Sequence, residues 1–225
     1  AVSAMAEEGF RGLSIGIIAN DSTFTAVGRE EERGGQFITG ATQDRGADHS
    51  HATVTKDVEF PSIFIEYSFG DTIAMTVGIE HIPGTHEIGA KSITHASGDR
   101  LASAAASDTG TRTGKAEVEN VNTIYIEPSV MVSDNIGIYG KFGGTHMRVN
   151  SIETTNASTY PNKDVLGMMY GFGIKARSSM GIFVKLEATE TQFDTIELES
   201  TTGNRNIIKA KTDQDAVRLA IGYNF

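Results

Sequence analysis

The 225-residue chain contains no cysteine and no tryptophan. Without thiols there are no disulfides, zinc–thiolate sites or cysteine nucleophiles. Long apolar runs are missing too. No window approaches the 18 consecutive apolar residues that a transmembrane helix needs. Mean hydropathy is −0.20, and an apolar share of 39% is low for a conventional core in a chain of this length. Cations are few: 19 Lys and Arg stand against 29 Asp and Glu, a formal net charge of −10. That balance argues against a nucleic-acid binder, which needs cations against phosphates. Helical periodicity is absent except across the Ala-rich "RLASAAASD" at 100–108. G-x-S-x-G, H-E-x-x-H, P-loop and EF-hand patterns are all lacking.

What recurs is a period of two. Eight segments alternate, with apolar faces running Leu13 to Ala19, Ile63 to Phe69, Ile73 to Ile79, Ile124 to Val132, Ile136 to Phe142, Met168 to Ile174, Ile182 to Ala188 and Val217 to Phe225. Tight turns of Gly, Asp, Asn and Ser join alternate pairs at Gly70–Asp71, Ser133–Asn135 and Ser178–Gly181. Between them lie long links at roughly 25–56, 83–117 and 150–163, with Pro83 expected to stop the third segment. A fourth link reads as an extended hairpin, with "TQFDTIELES" rising, "TTGNRN" turning and "IIKAKTDQD" returning. The fold class expected is all-β: an antiparallel up-and-down transmembrane β-barrel of eight strands, with short periplasmic turns and long extracellular loops. Ten strands is the alternative, with "QFITGATQ" as the extra hairpin. Residues 1–9 read as a signal-peptide remnant or tail, since Ala4-Met5-Ala6 fits a small-x-small cleavage site. Residues 10–225 read as one barrel domain.

Three features orient the alternation. Gly16, Gly78, Gly137, Gly143, Gly171, Gly173 and Gly222 share the polar face, where a narrow lumen needs room for longer neighbours. The same face carries Glu66, Glu80, Glu127 and Glu187 against Lys141, Lys175, Lys185 and Arg218, while the apolar face carries no charge. Lipid requires that absence, because a midplane Lys or Arg costs about 2–4 kcal/mol. Tyr67, Phe69, Tyr223 and Phe225, with Phe10 ahead of the first segment, read as an aromatic girdle at the short-turn end. Pro61 and Pro128 each remove a ladder donor, so a bulge or strand end is expected at both.

The segments "AVRLAIGYNF", "NIGIYGKFGG" and "MMYGFGIKA", together with the short-turn and long-loop rhythm, resemble the small eight-stranded bacterial outer-membrane barrels. That group includes opacity proteins, OmpX and the OmpA transmembrane domain. The resemblance covers the strands, about half the chain. It implies a Gram-negative outer membrane, no cofactor and no single activity. It also implies that Tyr223 and the terminal Phe225 serve as a recognition signal for the barrel-assembly machinery.

The lumen charges are the candidate site. Glu127 falls opposite Lys141 counting from the turn at Asp134, and Glu187 falls beside Arg218. Lys175 and Lys185 face each other and need carboxylates, with Glu187 or Glu66 as candidates. A polar plug is favoured over a gated ion or solute path, because eight strands enclose about enough room for side chains. His49-Ser50-His51 could chelate a metal with Asp44 or Asp48, but six solvated histidines (His81, His86, His95 and His146 being the others) are the plainer reading. No metal site is assigned. His146 and Ser151 could be forced into an acyl-transfer role, yet scattered Ser and His occur in any loop-rich chain, and no enzyme is expected. Acidic runs at "GREEER", Asp44 to Asp57 and "DTIELES" suit a solvated surface, or divalent cations bridging to lipopolysaccharide. The expected function is a structural or interaction scaffold displaying loops for adhesion, surface binding or envelope integrity. The alternatives are a narrow channel or hydrophobic-solute transporter and, behind it, a soluble ligand-binding barrel. Inward-pointing Phe64, Tyr125, Met131, Tyr139, Met169 and Phe183 leave room for a small apolar pocket.

Overall fold

In a computed structural model the described residues are 10–31, 49–95, 110–153, 159–201 and 207–225. The strands are β1 (Gly12–Glu31), β2 (His49–Gly70), β3 (Ile73–His95), β4 (Gly110–Ser133), β5 (Ile136–Glu153), β6 (Lys163–Arg177), β7 (Ile182–Phe193), β8 (Ile196–Glu199) and β9 (Ile207–Asn224). Each pairs antiparallel with its neighbour, and β1–β9 pairing closes the sheet. β7 and β8 both pair with β9, so they form one barrel strand interrupted at 194–195. The fold is therefore a closed eight-stranded antiparallel barrel. Closure leaves no open sheet edge, the condition a strand-built membrane span has to meet. "QFITGATQ", "RLASAAASD" and residues 1–9 lie outside the described residues, as do Asp44 and Asp48.

The outer face carries the aliphatic set. Ile17, Ile63, Ile79, Ile124, Phe172 and Leu219 are each at least half exposed. Glycine-rich turns close the short end; Gly70 at φ 93° and Gly181 at φ 85° adopt conformations that L side chains rarely take. Phe10 departs from the expected girdle. It is buried inside the barrel, edge-on to Phe183 with ring centroids 6.1 Å apart. Its ring caps the lumen, where apolar area is removed from water, rather than facing the interface.

The strands are far longer than the expected links allowed. β4 runs 24 residues and β3 runs 23, whereas about ten cross a bilayer. Much of 25–56 and 83–117 is thus barrel wall. Pro83 does not end β3: register shifts at Ile82/Thr85 and Glu87/Gly89 absorb the irregularity, and pairing with β4 continues to His95–Gly110. Pro128 makes no bulge either. It pairs with Met75, and the β4–β5 ladder omits it but resumes in unchanged register. Pro61 stays paired with Ala19, two residues beyond the end of the β2–β3 ladder.

Lumen glycines sit directly across the ladder from aromatics: Gly16 from Phe64, Gly78 from Tyr125, Gly173 from Tyr139, Gly222 from Phe183 and Gly167 from Phe193. A Cβ on Gly173 would lie 2.6 Å from Tyr139 Cζ, and one on Gly222 would lie 2.5 Å from Phe183 Cζ. Each ring therefore lies flat over its partner's backbone. Gly78→Val is expected to cost about 1–3 kcal/mol by displacing Tyr125, read as a lowered denaturant midpoint of the folded gel band.

Candidate functional site

The lumen has three layers. Nearest the short turns, Phe10, Ile18, Phe64, Phe183 and Ala220 form an apolar floor with Met131 packed against it. Phe24, Phe60, Ile82, Val118, Met147 and Phe193 belong to a larger apolar cluster at the long-hairpin end. The charges lie between.

They form one alternating chain. Glu66 meets Lys185 at 2.6 Å, and Lys185 also meets Glu127 at 2.8 Å. Glu127 and Glu187 each hold Lys141 at 3.2 Å. Glu187 meets Arg218 at 3.3 Å, and Arg218 Nη2 donates to Glu80. All seven are buried. Neutral groups add further hydrogen bonds, while Glu127 Oε1 keeps only its ion pair with Lys141. Tyr125 and Tyr139 donate to Glu66 and Glu187, each at 2.8 Å. Ser62 donates to Glu80 at 2.6 Å, and Arg218 Nε donates to Asn20 Oδ1 at 2.8 Å.

Lys175 stands apart. It lies opposite Lys185 in the ladder, but Lys185 turns to Glu66 and Glu127 rather than to Glu187. Lys175 is buried with its ammonium 4.8 Å from the Phe10 ring centroid and 5.6 Å from that of Tyr139. Among the described residues it makes no ion pair. The chain of four carboxylates and three cations carries one excess negative charge, and Lys175 balances it from outside the chain. Aromatic faces supply part of what a carboxylate would. Tyr125 and Tyr139 are therefore part of the polar network and do not line a small apolar pocket.

Two small cavities lie among the described lumen residues. An apolar cavity of about 10 Å³ is lined in part by Phe24, Phe60, His86 and Phe193. A polar one of about 20 Å³ touches Glu80, Thr123, Thr145 and Arg218. Each is of the order of a single water.

Beyond the aliphatic band the pattern inverts. Outward side chains become Asp21, Glu59, Asn122, His146, Asp164, Glu190 and Asp215, while inward ones become Phe24, Phe60, Met147, Val165 and Phe193. The phase of the alternation keeps going while its chemistry reverses at residues 20–21 and 59–60. That reversal is the sequence signal for the upper apolar layer, inside stretches expected to be loops. Some acidic-run residues are neutralised, with Arg29–Glu31 at 3.1 Å and Lys209–Glu197 at 3.2 Å. Lys115 and Lys56, each 3.3 Å away, hold the Glu87 carboxyl below its ordinary range.

The described histidines do not converge. His81 Nδ1 is 2.9 Å from Asn122 Oδ1, His86 Nε2 is 3.0 Å from the Pro83 carbonyl, and His146 is 3.6 Å from Asp164. His146 and Ser151 lie five residues apart on β5, which puts them on opposite faces of the strand. Among the described residues no three His, Asp or Glu are grouped to hold a metal. The side chains of His49 and His95 fall outside the description.

No protein-family model matches the chain, and no curated protein matches it. Solved structures similar to it include Ail, the attachment invasion locus protein of Yersinia pestis, in complex with the heparin analogue sucrose octasulfate. That match has 10% identity, covers 92% of this chain and 99% of the other, and has a TM-score of 0.36. A second structure of Ail gives 11%, 92%, 99% and 0.33. A Pseudomonas aeruginosa FadL homologue gives 9% identity over 99% of this chain and 92% of the other, with a TM-score of 0.27. At these scores the likenesses decide nothing further, and the barrel stands on its own strand pairing.

Proposed function

We propose that the chain is an integral protein of a Gram-negative outer membrane, closed to solutes, that acts as a rigid scaffold for surface-exposed hairpins. The observation that carries this is the lumen filling among the described residues: an apolar floor, a continuous ion-pair chain and an apolar upper layer, with cavities of about 10 and 20 Å³ between them. Wall strands of 20 to 24 residues, β1 to β4, carry the scaffold well past the aliphatic band. Loop tips borne on such a wall suit adhesion, surface binding or envelope integrity. Membrane lipid is the partner of the aliphatic face. Lipopolysaccharide, bridged by divalent cations, is the partner of the outward carboxylates Asp21, Glu59, Glu190 and Asp215. Tyr223 and Phe225, edge to face at 5.0 Å, form the element offered to the assembly machinery. No catalytic role is assigned to any residue.

Detergent-extracted protein is expected to migrate differently on gels before and after boiling, as folded barrels do. In planar bilayers it is expected to show no steady conductance. Well-resolved steps of porin size would overturn the closed scaffold and favour the channel.

A further inference from the structure

The ladder between β2 and β3 stops well short of the ends of its strands. It runs from Gly70–Ala74 to Ile63–His81, although β2 begins at His49 and β3 ends at His95. Over the remaining length β2 stays paired to β1, and β3 to β4. Two ribbons thus lie side by side with no ladder between them. Pro61 lacks the N–H that would extend it, and Pro83 with Gly84 at φ 88° bends β3 at the same height. Among the described residues the seam is bridged by side chains. The Phe60 and His86 ring centroids are 5.1 Å apart, and Lys56 Nζ lies 3.3 Å from Glu87 Oε1.

The seam leads somewhere. Phe60 and His86 both line the apolar cavity, with Phe24, Ile82, Val118 and Phe193 behind them. The seam also begins where the lipid-facing band ends: Ile63 is outward and aliphatic, and the next outward charged residue is Glu59. Below that height the ladder is complete, as hydrocarbon requires. At headgroup height an open ladder is tolerated.

We propose that the β2–β3 seam admits one hydrocarbon chain of a neighbouring outer-leaflet lipid into the apolar upper chamber, between Phe60 and Phe193. The headgroup stays outside, beside the Lys56–Glu87 ion pair. The closed chamber has about 10 Å³ free, so entry requires the Phe60 and His86 rings to part and the chain to take the place of side chains now packed there, Phe24 and Phe193 among them. A peptide strand does not fit the seam, because Val54 Cγ1 lies 3.2 Å from where a Cβ on Gly89 would sit. A polar solute finds few partners among the aliphatic and aromatic walls. Binding ends in the chamber, since the ion-pair chain blocks passage below it. The inference rests on the membrane placement proposed above.

The lack of tryptophan and cysteine makes a clean test. A single tryptophan is introduced at Phe193, at Phe24 as a second chamber site, or at Phe172 on the lipid face. Each variant goes into nanodiscs of phosphatidylcholine brominated at its chain ends. Phe172→Trp is expected to lose fluorescence, and so are Phe193→Trp and Phe24→Trp. Joining Lys56→Cys and Glu87→Cys with a short thiol cross-linker is expected to restore the chamber signal and leave the Phe172→Trp signal quenched. Quenching at Phe172→Trp with none at either chamber site overturns the inference and spares the membrane placement. Chamber quenching that survives the cross-link overturns the seam as the route. No quenching at Phe172→Trp overturns both.

Discussion

Glu187→Ala is expected to destabilise the barrel by about 3–5 kcal/mol, the cost of stranding buried charge. Glu187 binds Lys141 through both carboxylate oxygens at 3.2 Å, Arg218 at 3.3 Å and the Tyr139 hydroxyl at 2.8 Å. Lys141 keeps Glu127, and Arg218 keeps Glu80, which places the loss near the lower end. Three carboxylates then face Lys141, Lys175, Lys185 and Arg218 within the network, so one of these buried cations nonetheless loses its countercharge. The measurement is the urea midpoint of the heat-modifiable band. Adding Lys141→Met removes the surplus cation, so the double variant is expected to be more stable than Glu187→Ala alone. A single variant within about 0.5 kcal/mol of the parent, the usual range for surface substitutions, would show that the chain is solvated and not a plug.

Ile221→Arg is expected to cost about 2–4 kcal/mol in a bilayer, as a cation does at the midplane of a lipid face. Ile221 points outward, half exposed, between Ile17 of β1 and Val184 of β7. Thr25→Arg, outward on the same ribbon above the aliphatic band, is expected to change stability by less than about 1 kcal/mol, as near an interface. Comparing the two in vesicles reads the height of the lipid belt directly. A water-facing surface would tolerate both equally, and equal tolerance would remove the membrane from the account.

The lumen shows where reasoning along the chain reaches and where it stops. Glu127 and Lys141 are fourteen residues apart across one tight turn, so counting from the turn brings them together. Lys185 with Glu66 is a different case. Their shared face makes Glu66 one of two candidates, but they are separated by 119 residues and meet across the barrel, so no turn singles it out over Glu187. Arg218 and Glu80, 138 residues apart, are the same. Phe10 likewise carries no local sign of direction, because it precedes the first strand and has no alternating neighbours to set its face.

By itself the sequence determined the eight alternating segments, their parity and the sign of each face within them, because period-two alternation is written in adjacent residues and backbone geometry turns it into sides. Tertiary structure alone decided that Lys185 bridges Glu66 and Glu127 and that Arg218 reaches Glu80, that Lys175 rests on aromatic rings, how far the wall rises past the aliphatic band and where the β2–β3 ladder stops. These depend on barrel closure, which fixes distances between strands remote in the chain, and a one-dimensional pattern holds no record of them.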